Sequence, residues 1–218
     1  LGCDVLVLRE TECCGSVAHH LGRAKQAEAA MRRNILAWDK ENLDAIVSNT
    51  SGCGTMLKDY GFVLREDAEL REAASRIAGK ARDLCEIVSE LGLPKPARAP
   101  ERLRVAYQSA CSMQHGQKLG GKPQALLRAA GFEVVEPAEA HLCCGSAGSY
   151  NMLQPEIATK LRDRKIENLA VLKADVIATG NIGCMMQLRP ALNAPILHSA
   201  ELLDWATGGP RPSNLKLT

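Results

Sequence analysis

Hydrophobic residues follow two recurring patterns along the chain. One is a short apolar run typical of a buried strand, and the other is a longer segment with apolar residues three or four positions apart, typical of a helix. The order strand, Cys-Cys-Gly, helix, strand, cysteine occurs twice, beginning with the predicted strand 4–8 and again with 132–135. The alternation predicts an α/β fold of two repeated units, each a small parallel sheet flanked by helices.

The helix after each Cys-Cys-Gly is predicted from its apolar spacing. It carries Ala24, Ala27, Met31, Ile35 and Trp38 in the first copy, and Leu153, Ile157, Leu161 and Leu169 in the second, with Pro155 in its first turn. Each helix is followed by a predicted strand, 44–48 or 175–179. We expect each helix to turn one apolar stripe toward a core.

A further long helix is predicted in the first copy. Its apolar face consists of Leu70, Ala74, Ile77, Ala81, Leu84, Val88 and Leu91. Gly92 and Pro94 end it, and the Pro/Arg-rich residues 94–101 are typical of a linker. The sequence therefore predicts a first domain over 1–93 and a second over 102–218.

The second copy is longer at its front. It adds a predicted strand at 103–107, then Cys111 and an amphipathic helix at 122–130, for which the first copy has no counterpart. The chain also begins at Leu1 instead of methionine. We therefore expect the first domain to be N-terminally truncated and the chain to be part of a longer protein.

The charge and the lengths of the apolar stretches argue against nucleic-acid binding and against a membrane-spanning segment. The 27 basic and 25 acidic residues are interspersed, which predicts no nucleic-acid partner. No apolar stretch approaches the roughly 20 residues that span a bilayer, and no secretory signal pattern opens the chain. We expect a cytoplasmic protein, at most peripheral to the inner face of a membrane.

The chain has nine cysteines, and they are the strongest indication of its chemistry. In a reducing compartment disulfides are uncommon, and an odd number pairs badly, so a cluster of cysteines points to metal ligation or catalysis. Six of them lie in the repeated motifs and a seventh, Cys111, lies in the added front of the second copy; these seven are the predicted metal and cofactor ligands: Cys13, Cys14, Cys53, Cys111, Cys143, Cys144 and Cys184. No residue is predicted to be catalytic.

The spacing of these cysteines predicts that they converge. Cys53 follows Cys13 by 40 residues and Cys184 follows Cys143 by 41. We expect the cysteines in loops at the carboxyl ends of the strands, because a parallel sheet delivers such loops to one edge, where α/β sites form. Adjacent cysteines cannot both point inward from a strand, so a turn at the glycine is expected.

Other candidate residues have plainer interpretations. Cys3 on a predicted strand and Cys85 on a predicted helix are expected to be core residues. His115 and His141 lie near motif cysteines and are alternative ligands in a mixed Cys/His site, although surface or supporting roles are commoner for such histidines. Lysines and arginines on the helices are expected to be solvated.

Five motif blocks carry a family resemblance. They are Glu12-Cys13-Cys14-Gly15, Thr50-Ser51-Gly52-Cys53-Gly54, the block from Ala110-Cys111 through His115 to Leu119, His141-Leu142-Cys143-Cys144-Gly145-Ser146-Ala147-Gly148, and Ala178-Thr179-Gly180-Asn181-Ile182-Gly183-Cys184. With these blocks the chain resembles the C-terminal part of bacterial glycolate dehydrogenase (glycolate oxidase) iron–sulfur subunits. Those belong to the Cys-Cys-Gly domain family, which also includes heterodisulfide reductases and lactate-utilisation proteins.

The resemblance implies an electron-transfer subunit that carries an iron–sulfur cluster, with 4Fe–4S as the expected type. A partner subunit's flavin would oxidise glycolate, and electrons would leave toward a quinone-type acceptor. The expected partners are flavin-containing glycolate dehydrogenase subunits and a ferredoxin-type domain upstream in the same parent chain.

Two departures from the family pattern reduce the number of thiols. The broader motif ends in Cys-x-x-Cys, but Met56 stands three residues after Cys53 and Gln187 three after Cys184. The second copy keeps four thiols, the usual number for a cubane cluster. The first copy has three, so we expect only the second copy to complete a site within this chain.

Two other functions remain open from the residues. Four thiolates also form a tetrahedral zinc site, which would make the chain a structural zinc module. A vicinal cysteine pair can instead serve as a thiol–disulfide redox centre, as in a heterodisulfide-reductase-like domain.

Overall fold

The computed structural model describes residues 1–97 and 103–215 and divides the chain into two compact units, Gly2–Leu84 and Cys85–Thr218. Each unit contains a parallel sheet with helices packed on it. This confirms the predicted α/β fold with two repeated units. The predicted domain limits, 1–93 and 102–218, stay a prediction, and much of the proposed linker 94–101 lies outside the described residues.

The first unit is built on a short parallel pair of strands. Its elements are α1 (Ser16–His20), α2 (Ala24–Trp38), β1 (Ile46–Ser48), α3 (Ser51–Val63), α4 (Arg71–Lys80) and β2 (Ala81–Asp83). Strand β1 pairs with β2, with Ile46 opposite Ala81. Apolar side chains of α2, α3 and α4 form the core, in which Met31, Ile35 and Tyr60 have no exposed surface.

The long helix expected over 70–91 is wrong, because three of its residues form β2. Helix α4 ends at Lys80, and α5 (Leu84–Leu91) follows the strand. The main chain at 81–83 pairs with β1 and gives that strand hydrogen-bonding partners. Long-range pairing thus overrides a helical periodicity that continues unbroken through the sequence.

Residues 4–8 do not form the expected strand. They have no regular secondary structure, and Val5 and Val7 are each 84% exposed. An apolar run becomes a strand only when a neighbouring strand accepts its hydrogen bonds, and the described residues provide none here.

The second unit has a four-stranded, wholly parallel sheet. Its elements are β3 (Arg104–Tyr107), a π-helical turn (Ser112–Gly116), α6 (Lys122–Ala129), β4 (Glu133–Val135), α7 (Tyr150–Leu153), α8 (Pro155–Ala170), β5 (Val176–Thr179), α9 (Ile182–Leu188), a 3₁₀ turn (Arg189–Ala191), β6 (Ile196–His198) and α10 (Ser199–Ala206). All four residues of β5 are buried, as expected for a central strand covered on both faces. The elements β6 and α10 were not predicted.

The strand order places a crevice between β3 and β5. The order is β4-β3-β5-β6, so the chain moves outward from β3 to β4, crosses back to β5, and continues to β6 on the other side. Adjacent strands that lead away in opposite directions leave a gap at their carboxyl ends, where ligands of open α/β sheets bind. This gap lies beside the residues that follow β3 and β5.

Helix α8 buries only part of the predicted apolar stripe. Leu169 is buried as expected, but Ile157 is 48% exposed, and Leu153 lies in α7 and is 62% exposed. The other buried residues of α8 are Ala158 and Lys165, which the prediction did not include. The small side chain of Ala158 allows the Cys-Cys-Gly turn to approach the helix backbone, and this contact decides which face is inside.

Both Cys-Cys-Gly turns depend on the same close approach. Gly15 and Gly145 have φ angles of 84° and 91°, in the left-handed region that favours glycine. A Cβ at Gly15 would lie 3.0 Å from the carbonyl oxygen of Ala27 in α2, and a Cβ at Gly145 would overlap that of Ala158 in α8. The two copies detected in the sequence therefore share the same packing contact between the glycine of the turn and the backbone of the following helix.

No helix within residues 1–97 or 103–215 combines the length and the apolar character needed to cross a bilayer.

We predict that Gly145→Ala lowers the free energy of unfolding of the second unit by about 2–5 kcal/mol, because left-handed strain adds to the clash with the Ala158 carbonyl. Unfolding in urea is followed through Trp205 fluorescence in a Trp38→Phe background, since Trp205 lies in α10 of this unit.

Gly148→Ala is the matched control. Gly148 also has a positive φ, of 69°, but a Cβ there would meet nothing within 4 Å. Only the conformational cost of about 1–2 kcal/mol is expected. Equal losses in both variants would show that the contact with α8 contributes nothing.

Candidate functional site

Four cysteines of the second unit meet at the carboxyl end of its sheet. Cys111 follows β3 and opens the π-helical turn, and Cys143 and Cys144 follow β4. The loop predicted around Cys184 is wrong, as is the one around Cys53, because each residue lies in the first turn of a helix that begins shortly after its strand, α9 after β5 and α3 after β1. Cys144 and Cys184 are each 2% exposed, whereas Cys111 and Cys143 are partly exposed. The four thiols thus lie beside the crevice between β3 and β5, with two shielded from water.

The thiols are in mutual contact. The Cys144 Sγ atom donates a hydrogen bond to Cys184 Sγ at 3.2 Å. The Cys111 thiol donates to Cys143, and the single S–H of Cys144 is shared between Cys184 and Cys143. Four side chains separated by up to 73 positions in sequence therefore converge on one small volume.

These contacts divide the four groups into two kinds. The hydrogen bond from Cys111, followed by that from Cys144, lowers the pKa of Cys143 far below its ordinary value. The hydrogen bond from Cys144 likewise lowers the pKa of Cys184. The two donors have raised pKa values, because donation to a neighbour and burial both favour the protonated thiol.

Main-chain and amide groups stabilise the two acceptor sulfurs. The N–H of Gly145 donates to Cys143 Sγ at 3.4 Å, and Asn181 Nδ2 donates to Cys184 Sγ at the same distance. Hydrogen bonds to the charged form favour a thiolate, which is the form that ligates metals.

The segment before Cys143 is fastened to α8. The Glu139 carboxylate accepts hydrogen bonds from Arg164 and from Asn168 Nδ2, which together hold its pKa at about 2. The Lys165 ammonium donates to the Glu139 carbonyl oxygen at 2.9 Å and to that of Ala140 at 3.4 Å. This anchoring fixes the approach of the chain to the vicinal cysteines.

The first unit repeats part of this arrangement. Cys53 lies at the third position of α3, as Cys184 does in α9, and it accepts a hydrogen bond from Cys14 as Cys184 does from Cys144. That bond is the main cause that lowers the pKa of Cys53 to about 7 and raises that of Cys14. Cys13 is exposed.

Asn34 and Tyr60 hold the first Cys-Cys-Gly turn. Tyr60 Oη donates to the Cys14 carbonyl oxygen at 2.9 Å, and Asn34 Nδ2 donates to that of Cys13 at 3.2 Å. Asn34 also donates to Tyr60 Oη, and burial raises the pKa of that phenol. The structure thus brings Cys14 and Cys53 into contact beside Cys13, giving three thiols where the second unit has four.

The remaining cysteines and the two histidines lie outside these groups. Cys85 is buried in α5, as predicted, but Cys3 is exposed on a segment without regular structure, so its predicted core position is wrong. His115 and His141 are both exposed to solvent. The burial pattern therefore favours four thiols over a mixed Cys/His set.

The two positions where the family motif has a further cysteine differ from each other. Met56 is 4% exposed and belongs to the core of the first unit. Gln187 lies beside the second turn, where its Nε2 would be 3.2 Å from a Cβ at Gly145, and its Oε1 accepts a hydrogen bond from Asn151 at 2.9 Å. Gln187 therefore packs against the turn without adding a thiol.

The second group of thiols fits a thiolate-ligated centre by donor type, number and convergence. Within residues 1–97 and 103–215, no three Cys, His, Asp or Glu side chains already stand at coordination spacing. The 3.2 Å between Cys144 Sγ and Cys184 Sγ is shorter than the roughly 3.8 Å edge of a tetrahedron with 2.3 Å metal–sulfur bonds. Ligation thus requires these two thiols to separate.

Sequence reasoning missed two polar residues that support the turns. Asn34 is 1% exposed and Lys165 is completely buried, against the expectation that helix lysines are solvated. The spacing in the sequence could have predicted that Lys165 is buried. Lys165 lies seven residues after Ala158 and four before Leu169, so the three residues share one face of the helix. The missing information was that Ala158 faces inward.

Comparison with known proteins gives one family and several named relatives. The model of the family described as "Cysteine-rich domain" (CCG) matches residues 1–58 and 105–189, more than half of the chain. Over 209 residues, 94% of the chain, the sequence is 36% identical to the "Glycolate oxidase iron-sulfur subunit" of Escherichia coli (strain K12). It is 32% identical over 216 residues, 95% of the chain, to the "Probable glycolate oxidase iron-sulfur subunit" of Bacillus subtilis (strain 168).

A third relative is covered over most of its own length. The "Lactate utilization protein A" of Geobacillus thermodenitrificans (strain NG80-2) is 30% identical over 94% of this chain and 87% of its own sequence. By contrast, the matched regions make up 51% and 49% of the two glycolate oxidase subunits. The chain therefore spans about half the length of those two relatives.

We predict that Cys14→Ala makes Cys53 harder to ionise. The Cys14 thiol is the main cause of the lowered Cys53 pKa, so its removal leaves burial, which favours the neutral thiol, as the dominant influence. In metal-free reduced protein, the midpoint of the pH dependence of Cys53 alkylation by iodoacetamide should rise from about 7 by at least about one pH unit.

Peptide mapping by mass spectrometry follows Cys53 separately from the other thiols. Cys85→Ala is the matched control, because it also removes a buried thiol but one that is not among the groups that shift Cys53. An unchanged midpoint in Cys14→Ala would contradict the assigned hydrogen bond.

Proposed function

Because the chain belongs to the cysteine-rich (CCG) domain family, we propose that it is the iron–sulfur electron-transfer part of a glycolate or related 2-hydroxy-acid dehydrogenase complex. The family resemblance drawn from the sequence motifs is confirmed. The convergence of Cys111, Cys143, Cys144 and Cys184 at the crevice of the second sheet is the single observation that carries this proposal.

The chain's own residues prepare an anionic, partly dry binding site. The N–H of Gly145 and the amide of Asn181 donate to sulfur and favour thiolates. Burial of Cys144 and Cys184 excludes water from one side, while the partial exposure of Cys111 and Cys143 leaves an open side for exchange with a partner. A cluster bound by these four thiols would supply a one-electron carrier.

A 4Fe–4S cluster is the proposed type, since four cysteines are its usual ligands. In the first unit the thiols in contact, Cys13, Cys14 and Cys53, would supply three ligands, one fewer than four. We therefore assign the complete site to the second unit and propose an incomplete one in the first.

The proposed partners follow from the relatives' names and from the family resemblance. Two relatives are named as subunits of glycolate oxidase, which implies further subunits in their complexes. We propose that a flavin subunit oxidises the hydroxy acid and that electrons pass through this chain toward a quinone-type acceptor. An upstream ferredoxin-type domain and a cytoplasmic position, at most peripheral to the membrane, belong to the same proposal.

One contact favours a second candidate. The Sγ atoms of Cys144 and Cys184 are in contact, and one of them is the better thiolate, as in a thiol–disulfide redox pair. Such a centre would use the two cysteines without metal and would need a disulfide-bearing partner as oxidant. A structural zinc site, held by the same four thiols, is the other alternative.

We predict that anaerobically reconstituted wild-type protein contains iron and acid-labile sulfide, and that Cys144→Ser loses most of both because it removes a buried ligand. Iron, zinc and sulfide analysis with electron paramagnetic resonance of the reduced protein measures this outcome. Zinc without sulfide would support the structural zinc module, and neither metal would support the thiol–disulfide centre.

Cys85→Ser is the control for this experiment. Cys85 is also buried but lies in α5, apart from the thiol groups described above. Its iron and sulfide content should match the wild type, and an equal loss in both variants would defeat the ligand assignment.

A further inference from the structure

The two units carry a buried polar side chain at the same place in their repeat. Asn34 in α2 and Lys165 in α8 each lie seven residues, or two helical turns, after the alanine that contacts the glycine of the Cys-Cys-Gly turn. Asn34 binds the main chain at Glu12 and Cys13, and Lys165 binds it at Glu139 and Ala140, shortly before Cys143. The two positions are therefore equivalent in structure, but only one carries a charge.

In the first unit the position is neutral. Asn34 Oδ1 accepts a hydrogen bond from the N–H of Glu12 at 2.8 Å, and its Nδ2 donates to the Cys13 carbonyl oxygen at 3.2 Å. The amide thus satisfies one donor and one acceptor of the turn. No net charge is placed beside Cys14 and Cys53 by this side chain.

In the second unit the same position places an ammonium group inside the protein. Lys165 has no exposed surface, and its Nζ donates to the carbonyl oxygens of Glu139 and Ala140. Burial lowers its pKa, and the thiols of Cys144, Cys143 and Cys184 oppose this by favouring the charged form, ahead of the Glu139 carboxylate. The Glu139 carboxylate itself is bound by Arg164 and Asn168.

Holding two carbonyl groups does not require a charge, since the neutral amide of Asn34 donates to the carbonyl oxygens of both Cys13 and Glu12, at 3.2 and 3.5 Å. An isolated buried ammonium costs several kcal/mol of desolvation unless it is compensated by negative charge nearby. The main chain that Lys165 binds at Glu139 and Ala140 leads to Cys143. The thiols of Cys144, Cys143 and Cys184, when ionised, supply negative charge that favours the ammonium. Lys165 and the four-thiol site are thus electrostatically complementary.

We propose that Lys165 is a positioning residue that supplies the fixed positive charge of the second unit's cluster site and raises the reduction potential of the cluster bound there. Asn34 leaves the first unit without this charge, so the two repeats differ in electrostatics as well as in number of thiols. The inference rests on the proposed function, because it needs a cluster at Cys111, Cys143, Cys144 and Cys184.

The direction of the effect follows from charge. One-electron reduction makes a thiolate-ligated cluster more negative, and a nearby cation stabilises the reduced state more than the oxidised one. Inside the protein this interaction is less screened than at the surface. Removing the charge should therefore disfavour reduction, while keeping the charge on another side chain should preserve it.

The test uses the full chain, reconstituted anaerobically with ferrous iron and sulfide, and a redox titration monitored by electron paramagnetic resonance. Lys165→Gln keeps a donor but removes the charge, and should lower the one-electron reduction constant about tenfold, which is about 59 mV toward more negative potential. Lys165→Arg keeps the charge and should stay near the wild-type potential.

Lys160→Gln is the matched control, because Lys160 lies on the same helix but is exposed. It should leave the potential unchanged, since solvent and salt screen its charge. Lys165→Asn, which copies the residue of the first unit, is the second neutral variant. Iron and sulfide content and far-ultraviolet circular dichroism are measured for every variant.

The outcomes separate the inference from the proposed function. Wild-type protein that takes up no iron and sulfide would overturn the proposed function and the inference with it. A cluster of unchanged potential in Lys165→Gln or Lys165→Asn would overturn the inference alone, as would equal shifts in Lys165→Gln and Lys165→Arg. Loss of the cluster in both neutral variants but not in Lys165→Arg, with unchanged circular dichroism, would support it, because charge alone would then distinguish the variants.

Discussion

The contact between each Cys-Cys-Gly turn and the backbone of the following helix is the constraint on which both units depend. Gly145 lies against the carbonyl of Ala158, and Gly15 lies against that of Ala27. Any Cβ at either glycine would crowd the helix, so the left-handed turn and the small helix residue require each other. This contact decides which face of the helix is buried and where the two cysteines point.

The parallel sheet of the second unit is the second feature that brings its four thiols together. Cys111 and Cys184 come from adjacent central strands that lead away in opposite directions, while the turn after β4 brings Cys143 and Cys144 to them. Hydrogen bonding among the sulfurs then divides them into donors and acceptors. A rigid α/β scaffold thus holds four thiols whose own short contacts must relax if they are to coordinate a cluster.

The two units show how a duplicated fold can diverge electrostatically without changing its packing. The contact of glycine with alanine, the cysteine at the third helix position and the buried polar side chain two turns along the helix are common to both. Asn34 in one and Lys165 in the other both bind the main chain at or near the vicinal cysteines, but through different atoms, and they differ by one charge. Such a difference changes the charge beside the site without changing the fold, because the neighbouring backbone is held by hydrogen bonds in either case.

The sequence by itself determined the repeat, the α/β class and the motif cysteines, because these depend on local periodicity and on spacings that survive in one dimension. It also indicated the family, which the comparisons confirm. Only the tertiary structure decided that 81–83 is a strand, that 4–8 is not, and that α8 buries Lys165 instead of Ile157. Each of these depends on what lies far away in sequence: β1 for the new strand, the lack of a pairing strand among the described residues for 4–8, and the Gly145 turn for α8. Long-range pairing and close packing override local pattern there, and the charge beside the thiols follows from that packing.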